Sequence, residues 1–541
     1  MVVARYTHGQ LTIVDRLREM VRLAAGLDPQ GRLSREAVDR AMQCLERFGQ
    51  RLRDMKAERV RVVGTNTLRK ARRKGAFLDR AREALGHPIE IISGVEEARL
   101  IYLGVSNTTP SEGGRRLVVD IGGGSTELII GEGLEARRLE SLYMGCVSLS
   151  TRHFADGVVT EKRMKRARTA AQLEIEPVMS RFRHSEWETA FGASGTLRAV
   201  ADTLAARGAG RGGIDREGVD WLLAECLRAG DVTRLRLPGL APERQEIMPG
   251  GLAIIVELFE MLGIDHMRVA DGALREGLLY DLVGRLTDED ARWRSVRALE
   301  ARFHVDAAQA ARVEATAVAF LGQVRDAWKL DEPLAELVMR WAARLHEVGL
   351  DIAHSHYHKH GAYLLQHADL PGFPREEQQL LAALVGSHRR KLNLDQLEDL
   401  MPPWHLKAEL LIVLLRLAVL LHRSRGSRAL PQIVLSARGR SLEVGFPKGW
   451  LAEHPLTAAD LEQECEYLQA AGFRLRPQER GAPEFCACRR LSGSPGPRPR
   501  PGRPAEAAQA TRPLRCGTPP HSASAPRCSA AARWTGSCAG R

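Results

Sequence analysis

Apolar residues in the first half of the chain come in short runs separated by amphipathic stretches. Residues 1–6 and 11–14 read as two strands around a His8-Gly9 turn. A helix capped by Ser34 follows, with Val38, Ala41, Met42, Leu45, Phe48 and Leu52 on one face. Residues 60–63 and 89–92 are further strand-like runs, on either side of a helical stretch rich in Arg and Lys. From residue 113 the theme repeats: two apolar runs flank a glycine cluster, helical spacing recurs near 160–183 and 216–229, and a strand closes the region at 267–270. This alternation predicts two α/β halves around a cleft. Beyond about 286 the spacing turns helical. Leu334, Leu337, Val338, Trp341, Leu345 and Val348 form one stripe, and 410–421 is apolar enough for a buried helix. Short strand-like runs at 432–436 and 441–444 predict a small α+β unit ending near 488. The remainder, rich in Pro, Gly, Ala, Ser and Arg, cannot bury enough surface to offset chain entropy and reads as disordered.

Length and charge narrow the field. A chain of 541 residues exceeds what one core organises. No stretch approaches the ~20 uninterrupted apolar residues of a membrane span, and the first residues lack a signal-peptide pattern, so a cytoplasmic protein is expected. The nine cysteines show neither a disulfide framework nor a Cys-x-x-Cys pattern. The net charge of +12 is concentrated at the end: ten arginines against the single Glu506 put +9 of it in 489–541. The rest is nearly neutral, which argues against a nucleic-acid-binding core.

The run 117–130 carries the chemistry. Asp120 and Glu127 bracket Gly122, Gly123, Gly124, Ser125 and Thr126 between two apolar strands. Glycines without Cβ let backbone N–H groups approach an anion, and φ > 0 at these positions would converge them into a nest. Ser125 and Thr126 add hydroxyl donors. Asp120 and Glu127 would repel phosphate, so a hard cation such as Mg²⁺ shared with phosphate oxygens is their expected partner. An ordinary hairpin with a loose glycine turn is the plainer reading.

Asp120 to Glu127 resembles the second phosphate loop of the actin-like ATPase superfold, in the form used by the exopolyphosphatase / guanosine pentaphosphate phosphatase (Ppx/GppA) family. Five further segments agree in order: 64–69, 92–100, 144–148, 192–196 and 271–277. The resemblance runs from residue 1 to about 488. It implies an α/β, actin-like (ribonuclease H-like) fold of two lobes, followed by an all-α HD-like domain and a small α+β C-terminal domain. The expected boundaries are 1–112 for lobe I, 113–285 for lobe II, 286–425 for the helical domain, 426–488 for the small domain and 489–541 for the tail.

The resemblance assigns Glu97 as the base that orients water against phosphorus. Glu96 is better explained as an acid complementing the first helical turn. Arg69 resembles a cleft arginine that grips a non-bridging oxygen; Lys70, Arg72, Arg73 and Lys74 beside it are either a solvated face or a basic track for a long polyanion. Gly145 and Ser148 resemble a cleft-lining loop and could equally form a plain strand-end turn. Gly192, Ser194, Gly195 and Thr196 precede a helix, as an anion site or as a simple N-cap. Where HD phosphohydrolases place His-Asp this chain has His346-Glu347, and Gln309 stands where a histidine ligand is expected. A polar groove for the remote part of an anionic substrate, or a solvated face, is expected there rather than a metal. The family's first phosphate hairpin would precede Met1, so the true start is expected upstream.

The leading expectation is a Mg²⁺-dependent exopolyphosphatase releasing orthophosphate from inorganic polyphosphate. The alternatives are a guanosine pentaphosphate (pppGpp) phosphohydrolase and a catalytically impaired polyphosphate- or nucleotide-binding protein. A sugar kinase shares the glycine loop, but Glu97 argues for water as acceptor. The resemblance also implies a homodimer and loose peripheral association with the inner membrane, and the charge distribution leads to the expectation of no nucleic-acid partner.

Overall fold

The computed structural model describes residues 1–480, apart from 8, 9, 29, 73, 111, 112, 209–211, 287–289, 393, 395, 396, 401 and 427. The tail at 489–541, the His8-Gly9 turn and Arg73 lie outside the described residues. Lobe I contains two small sheets: a hairpin of β1 (Val2–Thr7) and β2 (Gln10–Arg16), and a parallel pair of β3 (Val63–Gly64) and β4 (Glu90–Ile91). Helices Arg35–Leu52 and Gly75–Leu85 share a core with Ile91 of the second sheet, and Ser34 caps the first helix by accepting from the Ala37 amide.

Lobe II is built on a mixed six-stranded sheet. Its strands are β5 (Arg115–Ile121), β6 (Thr126–Glu132), β7 (Glu135–Leu142), β8 (Thr189–Gly192), β9 (Gly213–Asp215) and β10 (His266–Val269), in the order β7-β6-β5-β8-β10-β9. The two-residue period of a strand divides its side chains cleanly. Leu117, Val119, Ile121, Leu128 and Ile130 enter the cluster that holds helices Glu161–Ile175 and Met248–Leu262. Val118 and Ile129 face the other way, onto Ala98, Ile101, Tyr102 and Val105 of helix Gly94–Thr108. That second face is where the candidate site forms. The described residues thus make the two-lobed actin-like α/β arrangement, continued by helices.

The described elements between Ala291 and Leu421 are all helices. Val338, Trp341 and Leu345 of the predicted stripe lie fully buried in helix Pro333–Leu345, and Trp404–Leu421 crosses the same core. A three-stranded sheet follows, of β11 (Val434–Arg438), β12 (Ser441–Pro447) and β13 (Arg474–Arg480), with helix Pro455–Ala470 against it. Its Leu442, Val444, Phe446 and Leu475 belong to the same hydrophobic cluster as Trp341 and Leu414, so these two regions share one core. No helix among the described residues is long and apolar enough to cross a membrane.

Candidate active site

The register of lobe II brings the acids together. Asp120 on β5 stands directly opposite Glu127 on β6, and Glu127 opposite Ser141 on β7. By parity Asp120 and Glu127 share the face of Val118 and Ile129, the face covered by helix Gly94–Thr108. Glu97 lies in that helix's first turn, one turn before Ile101, and so looks at the same spot. The turn is set by Ser93, whose hydroxyl accepts from the Glu96 amide at 3.1 Å. Gly94 permits close approach: a Cβ there would collide with Ser141.

Three neighbouring carboxyls perturb one another. Burial and the charge of Glu97 push Asp120 up to about 7. Glu127, almost fully buried, is raised well above its ordinary value by burial and by both other acids; hydrogen bonds from Ser141 (2.8 Å) and Ser125 offset part of that. Glu97 is also raised, mainly by burial, against the opposing pull of Arg69 and a hydrogen bond from Thr65. Arg69 Nη1 donates to Glu97 Oε2 at 2.8 Å and to the Ile92 carbonyl at 3.0 Å. Arg69 therefore holds the carboxylate as well as lining the crevice.

Glu96 belongs to a different network. Its carboxylate takes a bidentate bond from Arg99 (2.7 and 2.8 Å) and a third from the Gly372 amide (2.6 Å). Asp281 pairs with Arg61, Arg99 and Arg285, and those cations hold it far below the usual carboxylate range despite burial.

The glycine turn differs from the expected nest. None of Gly122, Gly123 and Gly124 has a positive φ. Gly122 N donates to the Ser125 carbonyl, while the Gly122 and Gly123 carbonyls accept from Cys146, Val147 and Ser148 at the start of helix Cys146–His153. The missing Cβ atoms serve proximity instead. A Cβ at Gly124 would strike Asn66, and one at Gly145 would strike the backbone of Gly123 and Gly124. The loop is thus wedged between the lobe I helix Asn66–Lys70 and the turn at 145.

Several hydroxyls read as phosphate donors turn inward. Thr126 donates to the Met144 carbonyl at 2.8 Å, and Thr196 to the Ile121 carbonyl at 3.1 Å. Ser148 Oγ caps its own helix, accepting from Gly145 N at 2.9 Å; Ser194 caps helix Gly195–Ala206 through the Leu197 amide. Gly192 lies in β8 against Leu197 and Met267. A buried hydroxyl in reach of an orphan backbone group is taken up by it. Asn66, Thr65, Ser141 and Arg244 were not singled out from the sequence. Arg244, whose guanidinium lies against Gly195, arrives from the distant turn Pro242–Ile247, which carries no local signal; Ser141 could have been found only through the register of β7.

Among the described residues no three His, Cys, Asp or Glu side chains converge as a self-sufficient ion site. Asp120 and Glu127 stand opposite each other, and among the described residues no cationic side chain forms an ion pair with either; this suits Mg²⁺, an ion commonly held by one or two carboxylates with phosphate oxygens and water completing the shell.

Residues 2–286 match the model of the Ppx/GppA phosphatase family, and 291–465 that of its domain III. The guanosine-5'-triphosphate,3'-diphosphate pyrophosphatase of Aeromonas hydrophila is 42% identical over 476 residues, covering 88% of this chain and 96% of that protein. Its Vibrio cholerae counterpart is 41% identical over 479 residues, covering 88% and 95%. Among solved structures, the Aquifex aeolicus PPX-GPPA enzyme is 26% identical, with a TM-score of 0.44 over 51% of this chain and 93% of that one.

Proposed function

This chain belongs to the Ppx/GppA phosphatase family, and from that premise we propose that it removes the terminal phosphate of guanosine 5'-triphosphate 3'-diphosphate by attack of water. Membership of the family itself carries hydrolysis of a phosphoanhydride. The nucleotide is favoured over inorganic polyphosphate, the leading expectation from sequence, by one observation: relatives about two-fifths identical over nearly their whole length bear the name of that nucleotide's pyrophosphatase.

The residues divide the work as follows. Glu97, raised by burial and steadied by Arg69, takes the proton of a water aimed at the terminal phosphorus. The glycine turn, wedged between Asn66 and Gly145 and not coiled into a nest, would meet the phosphoryl oxygens with its backbone amides. Asp120 and Glu127 would hold Mg²⁺, which when bound neutralises developing charge on the phosphate oxygens. The pair would then shed the protons that burial favours.

Orthophosphate release from pppGpp and from long-chain polyphosphate, measured side by side with the same preparation, tests the assignment. A kcat/KM at least ~10-fold higher for the nucleotide is expected. A preference for polyphosphate would overturn it.

A further inference from the structure

A cavity of about 350 Å³ opens in the helical domain, at the C-terminal end of helix Arg375–Ser387 and beside helices Trp404–Leu421 and Pro455–Ala470. Its charge is lopsided. The carboxylates on its wall are each committed to an arginine: Glu347 to Arg425, Asp460 to Arg423, Glu464 to Arg416. Arg389 and Arg390 also line it, and among the described residues no carboxylate pairs with either. Arg389 lies over the Tyr357 ring, 4.6 Å from its centroid. Arg390 adopts a φ of +64°, which a residue with a Cβ rarely does. The buried Arg416 enforces this turn by donating to the carbonyls of Ser387 (2.7 Å) and Arg390 (2.6 Å) while paired with Glu464. A costly buried ion pair is spent on presenting two uncompensated cations. Two such arginines at a cavity mouth suit a phosphate group.

The cavity floor asks for something else. His346 is fully buried, and its Nδ1 lies 2.7 Å from the Ala343 carbonyl, so the proton sits there and Nε2 keeps a lone pair. Among the described residues that nitrogen has no hydrogen-bond partner; the Glu347 carboxylate, committed to Arg425, stands 3.8 Å away. His388 beside His346 is fixed in the same tautomer by the Val385 carbonyl at 2.6 Å. Burial lowers the pKa of both rings and so favours their neutral form. A lone pair does not attract an anion; it needs an N–H or O–H donor. A ligand satisfying both ends carries a phosphate and a hydrogen-bond donor, and a fully ionised inorganic polyphosphate has only the first.

We propose that this cavity is a second, non-hydrolytic site that takes a nucleoside phosphate, its phosphates against Arg389 and Arg390 and a ribose hydroxyl or base N–H against His346. The inference is independent of the reaction assigned to the lobe cleft, where turnover remains a separate readout.

Photo-cross-linking of the full chain with 8-azido-GDP, followed by peptide mapping, tests it. Label is expected on the cavity peptides carrying Tyr357 and Tyr467. R389Q/R390Q, changes at solvent-reached positions, should cut that label about tenfold, the equivalent of one lost charged contact, without altering label in the lobe cleft. H346F keeps an aromatic ring but lacks the acceptor, and should weaken GDP labelling of the same peptides while calorimetry shows pyrophosphate binding unchanged. No label on those peptides, or label indifferent to R389Q/R390Q, overturns the site. Equal labelling of H346F and the native chain overturns the nucleoside assignment and leaves a plain anion site.

Discussion

Arg69 donates to Glu97 across 2.8 Å, from a lobe I helix to the helix that covers the lobe II sheet. The pairing opposes the burial that raises the pKa of this carboxyl. Glu97→Gln is expected to lower turnover on the order of 10³-fold with KM little changed, measured as orthophosphate release. Arg69→Gln should move the rising limb of the pH–rate profile to higher pH, because the opposing cation is gone. Loss of folded protein alone would lower the profile without shifting it.

Asp120 carries a stability signature. Its folded pKa of about 7 stands above the ordinary 3.8. Between those values the unfolded chain ionises Asp120 while the folded chain keeps the proton, so the residue's contribution to stability falls as pH rises from about 4 to about 7 and is level outside that window. Solvent at the cleft edge trims the effect. Asp120→Asn should therefore melt above the native chain at pH 7.5 without divalent metal, by roughly 1–3 kcal/mol, and together with it at pH 4. Thermal melts at the two pH values check this.

Chelation gives a complementary expectation. If Asp120 and Glu127 hold Mg²⁺, EDTA should abolish phosphate release, and adding Mg²⁺ back should restore it and raise Tm. The Tm increment should vanish in Asp120→Asn/Glu127→Gln, read by differential scanning fluorimetry.

The glycines differ in tolerance. At Gly145 an added Cβ meets backbone of the glycine turn, which cannot step aside, whereas at Gly123 the nearest atom is a Val147 methyl at 3.4 Å. Gly145→Ala is expected to cost about 2–3 kcal/mol and most of the activity. Gly123→Ala should fold within about 0.5 kcal/mol of the native chain. Urea denaturation of both variants compares them.

Much of this architecture could be read from the chain because alternation dictates it. Residues 117–121 and 128–130 announce two strands buried on both faces, and the cap at Ser34 and the helix over 216–229 follow from local spacing. Even the meeting of Asp120 with Glu127 follows from a short hairpin. The strand Glu135–Leu142 was not anticipated, since its polar residues cover a sheet edge and lack the apolar alternation of a strand. With it went Ser141. Thr126 and Thr196 could not be told from phosphate donors because the carbonyls that capture them come from other elements, whereas Ser148 is taken up locally, by the N-cap of its own helix. The common core of the helices and the C-terminal sheet is likewise a tertiary fact.

The amide of Gly372 ends on the carboxylate of Glu96, next along the chain from the proposed base. A domain that supplies no reacting group thereby grips the first turn of the helix that aims Glu97, and the cluster around Asp281 bolts the same turn to the end of lobe II. Excising the helices after residue 290 would spare every atom assigned to the chemistry yet loosen its sighting, so the minimal working unit of this protein is larger than its reactive crevice.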